Sequence, residues 1–124
     1  MENVAQTITT TRAIAAMIKG MEYLIQGTRE QIPSQHLRVL LHIAAAGEVP
    51  QLDLIEMTGT SQSAVSRIIY DLGEGAPREA GLGLVEAYVD PEWRRRKLVR
   101  LTDKGRKLVN GLAPILSAQL VRKQ

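Results

Sequence analysis

Ser61, Gln62, Ser63, Ser66, Arg67 and Tyr70 fall within ten residues of one another, and Val65, Ile68, Ile69 and Leu72 interleave with them at the spacing of a helix's buried side. A helix so patterned turns short hydroxyls and an amide outward in its first turns, where backbone N–H groups also point at whatever approaches. Such an end can meet a phosphate or a base edge, and Arg67 can reach guanine O6/N7 or a phosphate. Farther along, Arg94, Arg95, Arg96 and Lys97 crowd into a short segment. A polar helix end and a cationic hairpin at a fixed offset are what reading a groove and gripping phosphates require. Taken alone, each has an ordinary alternative: a solvated helix face, or a solvated charged hairpin.

These residues need elements to place them. Ser61 is an N-cap for the reading helix, and Thr58-Gly59-Thr60 before it is a turn in which Gly59 supplies a positive φ. The helix preceding that turn carries Leu52, Leu54, Ile55 and Met57, with Pro50 placed for its first turn. Upstream, Pro33-Ser34 opens a helix with Leu37, Leu40, Leu41 and Ala44 on one face and Gly47 as its stop. Thr9-Thr10-Thr11 offers caps for a first helix over 11–26, whose apolar face Ile14, Met17, Ile18, Met21 and Ile25 is broad enough to need a core partner or another subunit. Glu48-Val49-Pro50 is long enough for a single strand-like pairing. After the reading helix, the breaker-rich 73–83 is a loop, with room for one helical turn begun by Pro77 and ended by Gly81. Leu84 to Val89 and Lys97 to Leu101 read as antiparallel strands about a turn at Asp90-Pro91-Glu92. Thr102 caps a last helix over 103–120, with Leu108, Leu112, Ile115 and Leu116 apolar, which Pro114 must kink or break.

Bulk numbers bound the function. A chain of 124 residues is of single-domain size, so one domain over 1–124 is expected. Aromatic content of 3% without any Phe leaves a core of aliphatic side chains and Met, as in packed helices. The absence of Cys rules out disulfides and thiolate–metal sites and is compatible with a reducing cytosol. Neither a membrane-spanning run nor a signal-peptide pattern is present, so a soluble cytoplasmic protein with no membrane partner is expected. The net charge of +3 is segregated. Residues 94–107 hold eight cations against Asp103 alone, a local +7 that leaves −4 for the rest. That points to an anionic polymer as partner.

The run Gln51 to Leu72, then Gly83-Leu84-Val85, Asp90-Pro91-Glu92-Trp93-Arg94-Arg95 and Leu101-Thr102-Asp103-Lys104-Gly105, resembles the winged helix-turn-helix of the MarR family of bacterial transcriptional regulators. The resemblance implies a mainly α fold with a small β-wing (α+β), a DNA-binding lobe over 34–101, and dimerisation helices at 11–26 and 103–120. It implies a homodimer that sets two recognition helices into successive major grooves of double-stranded DNA while each wing reaches a neighbouring minor groove. Arg95 matches the family's wing-tip arginine, a residue suited to the enhanced negative potential of narrow A·T-rich minor grooves. Many relatives carry a second acidic residue two positions before this arginine. Trp93 stands there, so Asp90 must brace the wing alone, and Trp93 is left to pack on the hairpin base, stack on an arginine or contact a sugar. Two further departures are the length of 73–83 and a chain that ends partway through the family's final helices, so a smaller or differently built dimer interface is expected.

No enzyme signature accompanies these features. His36 and His42, six apart on one helix, lack the i, i+4 spacing of a two-His metal site and read as surface or partly buried histidines, so neither metal nor cofactor is expected. Family members often bind small phenolic ligands between the dimer region and the DNA-binding lobe, which leaves room for an effector that nothing in this sequence specifies. The expected function is therefore a dimeric, sequence-specific transcriptional regulator, a repressor of a pseudo-palindromic operator. The alternative is a winged-helix interaction or accessory module without specific readout, and a nonspecific architectural DNA binder is weaker still.

Overall fold

The computed structural model describes residues 8–76 and 79–120. Helix α1 spans Thr10–Gly27, and its N-cap Thr9 accepts a hydrogen bond from the Arg12 backbone N–H (3.2 Å). Helix α2 spans Ser34–Ala46 and stops at Gly47, whose φ is +81°. Its buried face is His36, Leu37, Val39, Leu40 and Ile43; Leu41, expected on that face, is 37% exposed. Strand β1 (Glu48–Pro50), helix α3 (Asp53–Thr58) and helix α4 (Gln62–Leu72) come next. Pro50 is thus the last residue of a strand, not the first turn of a helix, and β1 is an edge strand, where a residue without an N–H is tolerated. In α3 only Leu54 of the four expected apolar residues is fully buried, while Leu52 and Met57 face outward.

The α3–α4 corner is built as its residues require. Gly59 sits at φ +68°, ψ +27°, and its N–H reaches the Ile55 carbonyl (2.9 Å), closing α3 with a left-handed cap that β-substituted residues resist. Ser61 then caps α4 by accepting from the Ala64 N–H (3.2 Å).

Beyond α4 the expected helical turn is replaced by a small hairpin of β2 (Gly75–Ala76) and β3 (Glu79–Ala80); Pro77, the residue expected to start that turn, lies outside the described residues. Strands β4 (Val85–Val89) and β5 (Lys97–Leu101) pair antiparallel from Val85↔Leu101 to Val89↔Lys97, and β1 joins the other edge of β5, giving the order β1-β5-β4. The core fills the space between α2, α3, α4 and this sheet, with Leu40, Ile43, Leu54, Val65, Leu72, Leu84 and Val99 all but inaccessible.

The Leu101-Thr102-x-x-Gly105 pattern locks the sheet to the helix that begins at Asp103. Thr102 donates its hydroxyl to the Gly83 carbonyl (2.6 Å) and accepts from the Gly105 N–H (3.1 Å), and its own N–H reaches the Leu84 carbonyl (2.9 Å). Gly105 lies so close to that same carbonyl that a Cβ would overlap its oxygen. The final helix is two helices, α5 (Asp103–Asn110) and α6 (Leu112–Leu120). The break falls at Gly111, and Pro114 is accommodated in the first turn of α6, where an N–H would have no intrahelical partner. The Leu108 carbonyl next to the break accepts from the Tyr23 hydroxyl of α1. Helix α1 lies along α6 through Gly20, which meets Leu112 and Leu116. Its other side, Ile14, Met17, Ile18 and Met21, is 43–65% exposed.

Candidate nucleic-acid interface

Helix α4 divides as its periodicity predicts. Val65, Ile68, Ile69 and Leu72 are buried; Ser61, Gln62, Ser63, Arg67 and Tyr70 are exposed and Ser66 is half-buried. The outward stripe Ser63, Ser66, Arg67 and Tyr70 has the i, i+3, i+4, i+7 rhythm of one helix face. The Ser61 and Ser63 hydroxyls lie 3.3 Å apart at the helix start. Helix α4 is held from behind by His36, a buried residue whose Nε2 is 2.8 Å from Asp71 Oδ2.

The β4–β5 turn forms the wing, and Asp90 is its internal brace. Only 4% exposed, Asp90 accepts from the Glu92 N–H (2.9 Å) and, side-on, from Arg96 Nε (2.9 Å) and Nη2 (2.7 Å). The Asp90 N–H also meets the Arg96 carbonyl (2.8 Å), and the Arg96 N–H meets the Trp93 carbonyl (2.9 Å). The Glu92 N–H, helped by the Arg96 guanidinium, holds the Asp90 carboxyl below the usual carboxylate range against the opposing effect of burial. The Arg96 guanidinium lies 5.4 Å from the centre of the Trp93 ring, so of the roles open to Trp93, stacking on an arginine is the one observed.

Arg94, Arg95, Arg96 and Lys97, expected together as the DNA-binding residues of the wing, differ in the acceptors they already hold. Arg96 is paired with Asp90 and lies against Trp93, its side chain still 38% exposed. Arg100 pairs with Glu86 (2.7 Å) and lies over Tyr88, Lys104 donates to the Leu82 carbonyl (2.8 Å), and Arg106 is held by the Leu101 carbonyl (3.0 Å) and Asp103. Among the described residues, the wing cations with no such acceptor are Arg94, Arg95 and Lys97, all exposed. The local charge of the segment therefore overstates what it offers outward.

A groove of about 340 Å³ separates recognition helix from wing, walled by Ser66, Ile69, Tyr70 and Glu74 on one side and by Val85, Glu86, Ala87 and Lys97 on the other, with Gln51 at one end. Gln51 was not singled out by sequence reasoning. Its N–H donates to the Lys97 carbonyl (2.9 Å) and its side-chain Nε2 to Ser66 Oγ (3.1 Å). Among the described residues no group of three or more His, Cys, Asp or Glu side chains could hold a metal ion, and no helix is long and apolar enough to cross a membrane.

Neither a family model nor a curated protein sequence matches the chain. Its likeness is to solved structures. MepR of S. aureus, solved in complex with DNA, is 24% identical with a TM-score of 0.66 over 87% of this chain and 82% of that one. PcaV, a transcriptional regulator from Streptomyces coelicolor, is 26% identical with a TM-score of 0.57 over 90% and 78%. A MarR family transcriptional regulator from Silicibacter pomeroyi is 24% identical with a TM-score of 0.61 over 87% and 64%. Three antiparallel strands, a capped helix-turn-helix and a wing closed by Asp90, flanked by α1 and α6, thus make this chain's fold the winged helix-turn-helix of the MarR-family regulators.

Proposed function

We propose that the chain is a DNA-binding transcriptional regulator of the MarR type, a cytoplasmic homodimer that represses by occupying a pseudo-palindromic operator. The observation that carries this reading is the arrangement of two chemically distinct surfaces about one groove. On one side α4 offers Ser63, Ser66, Arg67 and Tyr70 along a single face, and on the other a rigid wing offers Arg94, Arg95 and Lys97 with no acceptor of their own among the described residues. The first suits base edges and the second suits phosphates or a narrow minor groove. MepR, of the same fold, was solved with DNA bound.

The dimer is supported by Ile14, Met17, Ile18 and Met21, a stripe of large apolar side chains left open on α1 while Ala16, Gly20 and Leu24 are buried. A second copy covering this stripe would remove it from water, and a two-fold axis would set the recognition helices about 34 Å apart. The interaction-module reading draws on exposed Tyr70 and Trp93, yet Trp93 already carries Arg96 on its ring.

Gel shifts across a range of salt, with a selected duplex and its scrambled counterpart, test the reading. The expected result is tight, strongly salt-dependent binding to the selected duplex and weaker binding to the scrambled one. Equal binding to both would leave an architectural binder, and no binding to either would leave the interaction module.

A further inference from the structure

Among the described residues, the Ser66 hydroxyl is held by a side chain fifteen residues away in the sequence, and the manner of holding sets what it can read. A serine hydroxyl ordinarily serves as donor or acceptor alike, so it discriminates poorly among base edges. In a helix its proton is often spent on the carbonyl four residues back, as Thr58 does with Leu54 (2.6 Å) and Thr28 with Leu24 (2.7 Å). Ser66 makes no such bond among the described residues. Instead it accepts from Gln51 Nε2 (3.1 Å), which fills one of its lone pairs and leaves its proton uncommitted.

Gln51 is itself fixed at both ends of its backbone. Its N–H is bound to the Lys97 carbonyl of β5 (2.9 Å) and its carbonyl accepts from the Leu54 N–H of α3 (3.2 Å). A donor mounted on the wing root and on α3 thus presses against the middle of the recognition helix. We propose that Gln51 is a specificity-determining positioning residue: by donating to Ser66 it makes Ser66 an outward hydrogen-bond donor that selects a base acceptor, guanine O6 or N7, adenine N7 or thymine O4, and disfavours the amino groups of adenine and cytosine. This rests on the reading of the chain as a sequence-specific DNA binder.

The test is selection of preferred duplexes from a random pool with the wild type, Ser66→Ala, Gln51→Met and Gln51→Glu. With the wild type, one base position per half-site carries a preference of roughly 3- to 10-fold for an acceptor, the scale of one net hydrogen bond, and Ser66→Ala abolishes it. Gln51→Met keeps the length of the side chain without the donor and weakens the same preference. Gln51→Glu takes the Ser66 proton and turns the hydroxyl into an acceptor, so the preferred base at that position changes to one presenting an amino group, whatever happens to overall affinity. A wild-type preference that Gln51→Glu and Gln51→Met leave unaltered overturns the inference alone. A wild type with no preference at any position overturns the DNA-reader reading and the inference with it. The free protein supplies a second readout: Ser66→Ala must shift the Gln51 side-chain amide resonances in an ¹⁵N correlation spectrum, and unshifted resonances refute the contact.

Discussion

Replacing Arg94 and Arg95 together by Ala removes two of the wing's uncommitted cations and leaves the brace between Asp90 and Arg96 intact. In a dimer four charges are lost. If each meets a phosphate, the slope of log K against log[salt] flattens by about 3.6, since each contact contributes about 0.9 on B-DNA. Between 50 and 200 mM salt the wild type would then lose roughly 10²-fold more affinity than the variant. Fluorescence anisotropy on one duplex at several salt concentrations gives both slopes, and far-ultraviolet circular dichroism confirms that the variant is folded. A slope unchanged by the double replacement would place the wing away from DNA and refute the division of labour between helix and wing. A monomer on a half-site would show half the change.

Ser61→Ala removes the hydroxyl that caps α4 and is expected to cost about 1 kcal/mol, a fall in Tm of about 4 °C by circular dichroism for a domain of this size. Leu40→Ala opens a cavity at a fully buried site among the α2 core residues and should cost about 2–5 kcal/mol, measured by urea unfolding. Asp90→Asn tests the brace through pH. Because the folded-state pKa of Asp90 is lowered, its contribution is present above the ordinary carboxylate pKa of about 4 and is lost as pH falls through the folded value. The stability gap between wild type and Asp90→Asn should therefore be constant from neutral pH down to about 5 and close in stronger acid, whereas a gap that widened in acid would contradict the shift. Met17→Glu with Met21→Lys breaks the open stripe of α1, and sedimentation should show a folded monomer for the variant and, if the proposed dimer forms, a dimer for the wild type.

Sequence reasoning reached what local physics decides. The four buried positions of α4 sit at helical spacing, Gly59 stands where only a left-handed residue closes the corner, and Thr102 and Ser61 cap the helices they precede. It failed where a second element decides. Which arginine of Arg94-Arg95-Arg96 turns back to Asp90 depends on the path of the wing, which a run of like residues does not encode. Pro50 looks like a helix start until β1 is known to lie on the sheet edge, whereas the interruption that Pro114 demands is present, one turn earlier at Gly111. Gln51 carries no periodic signal at all. Its role comes from a contact between residues fifteen apart, made only once β5 and α4 flank it.

The central claim, sequence readout by α4, is tested most directly by binding of the wild type and Arg67→Ala to a selected operator and to random duplex at one salt concentration. The account predicts an operator of inverted repeats with half-site centres about 10–10.5 base pairs apart, and a loss with Arg67→Ala of about 1–3 kcal/mol that is confined to the operator and relaxes one base position per half-site. A wild type that binds operator and random duplex equally, or a variant that loses the same amount on both, would contradict it.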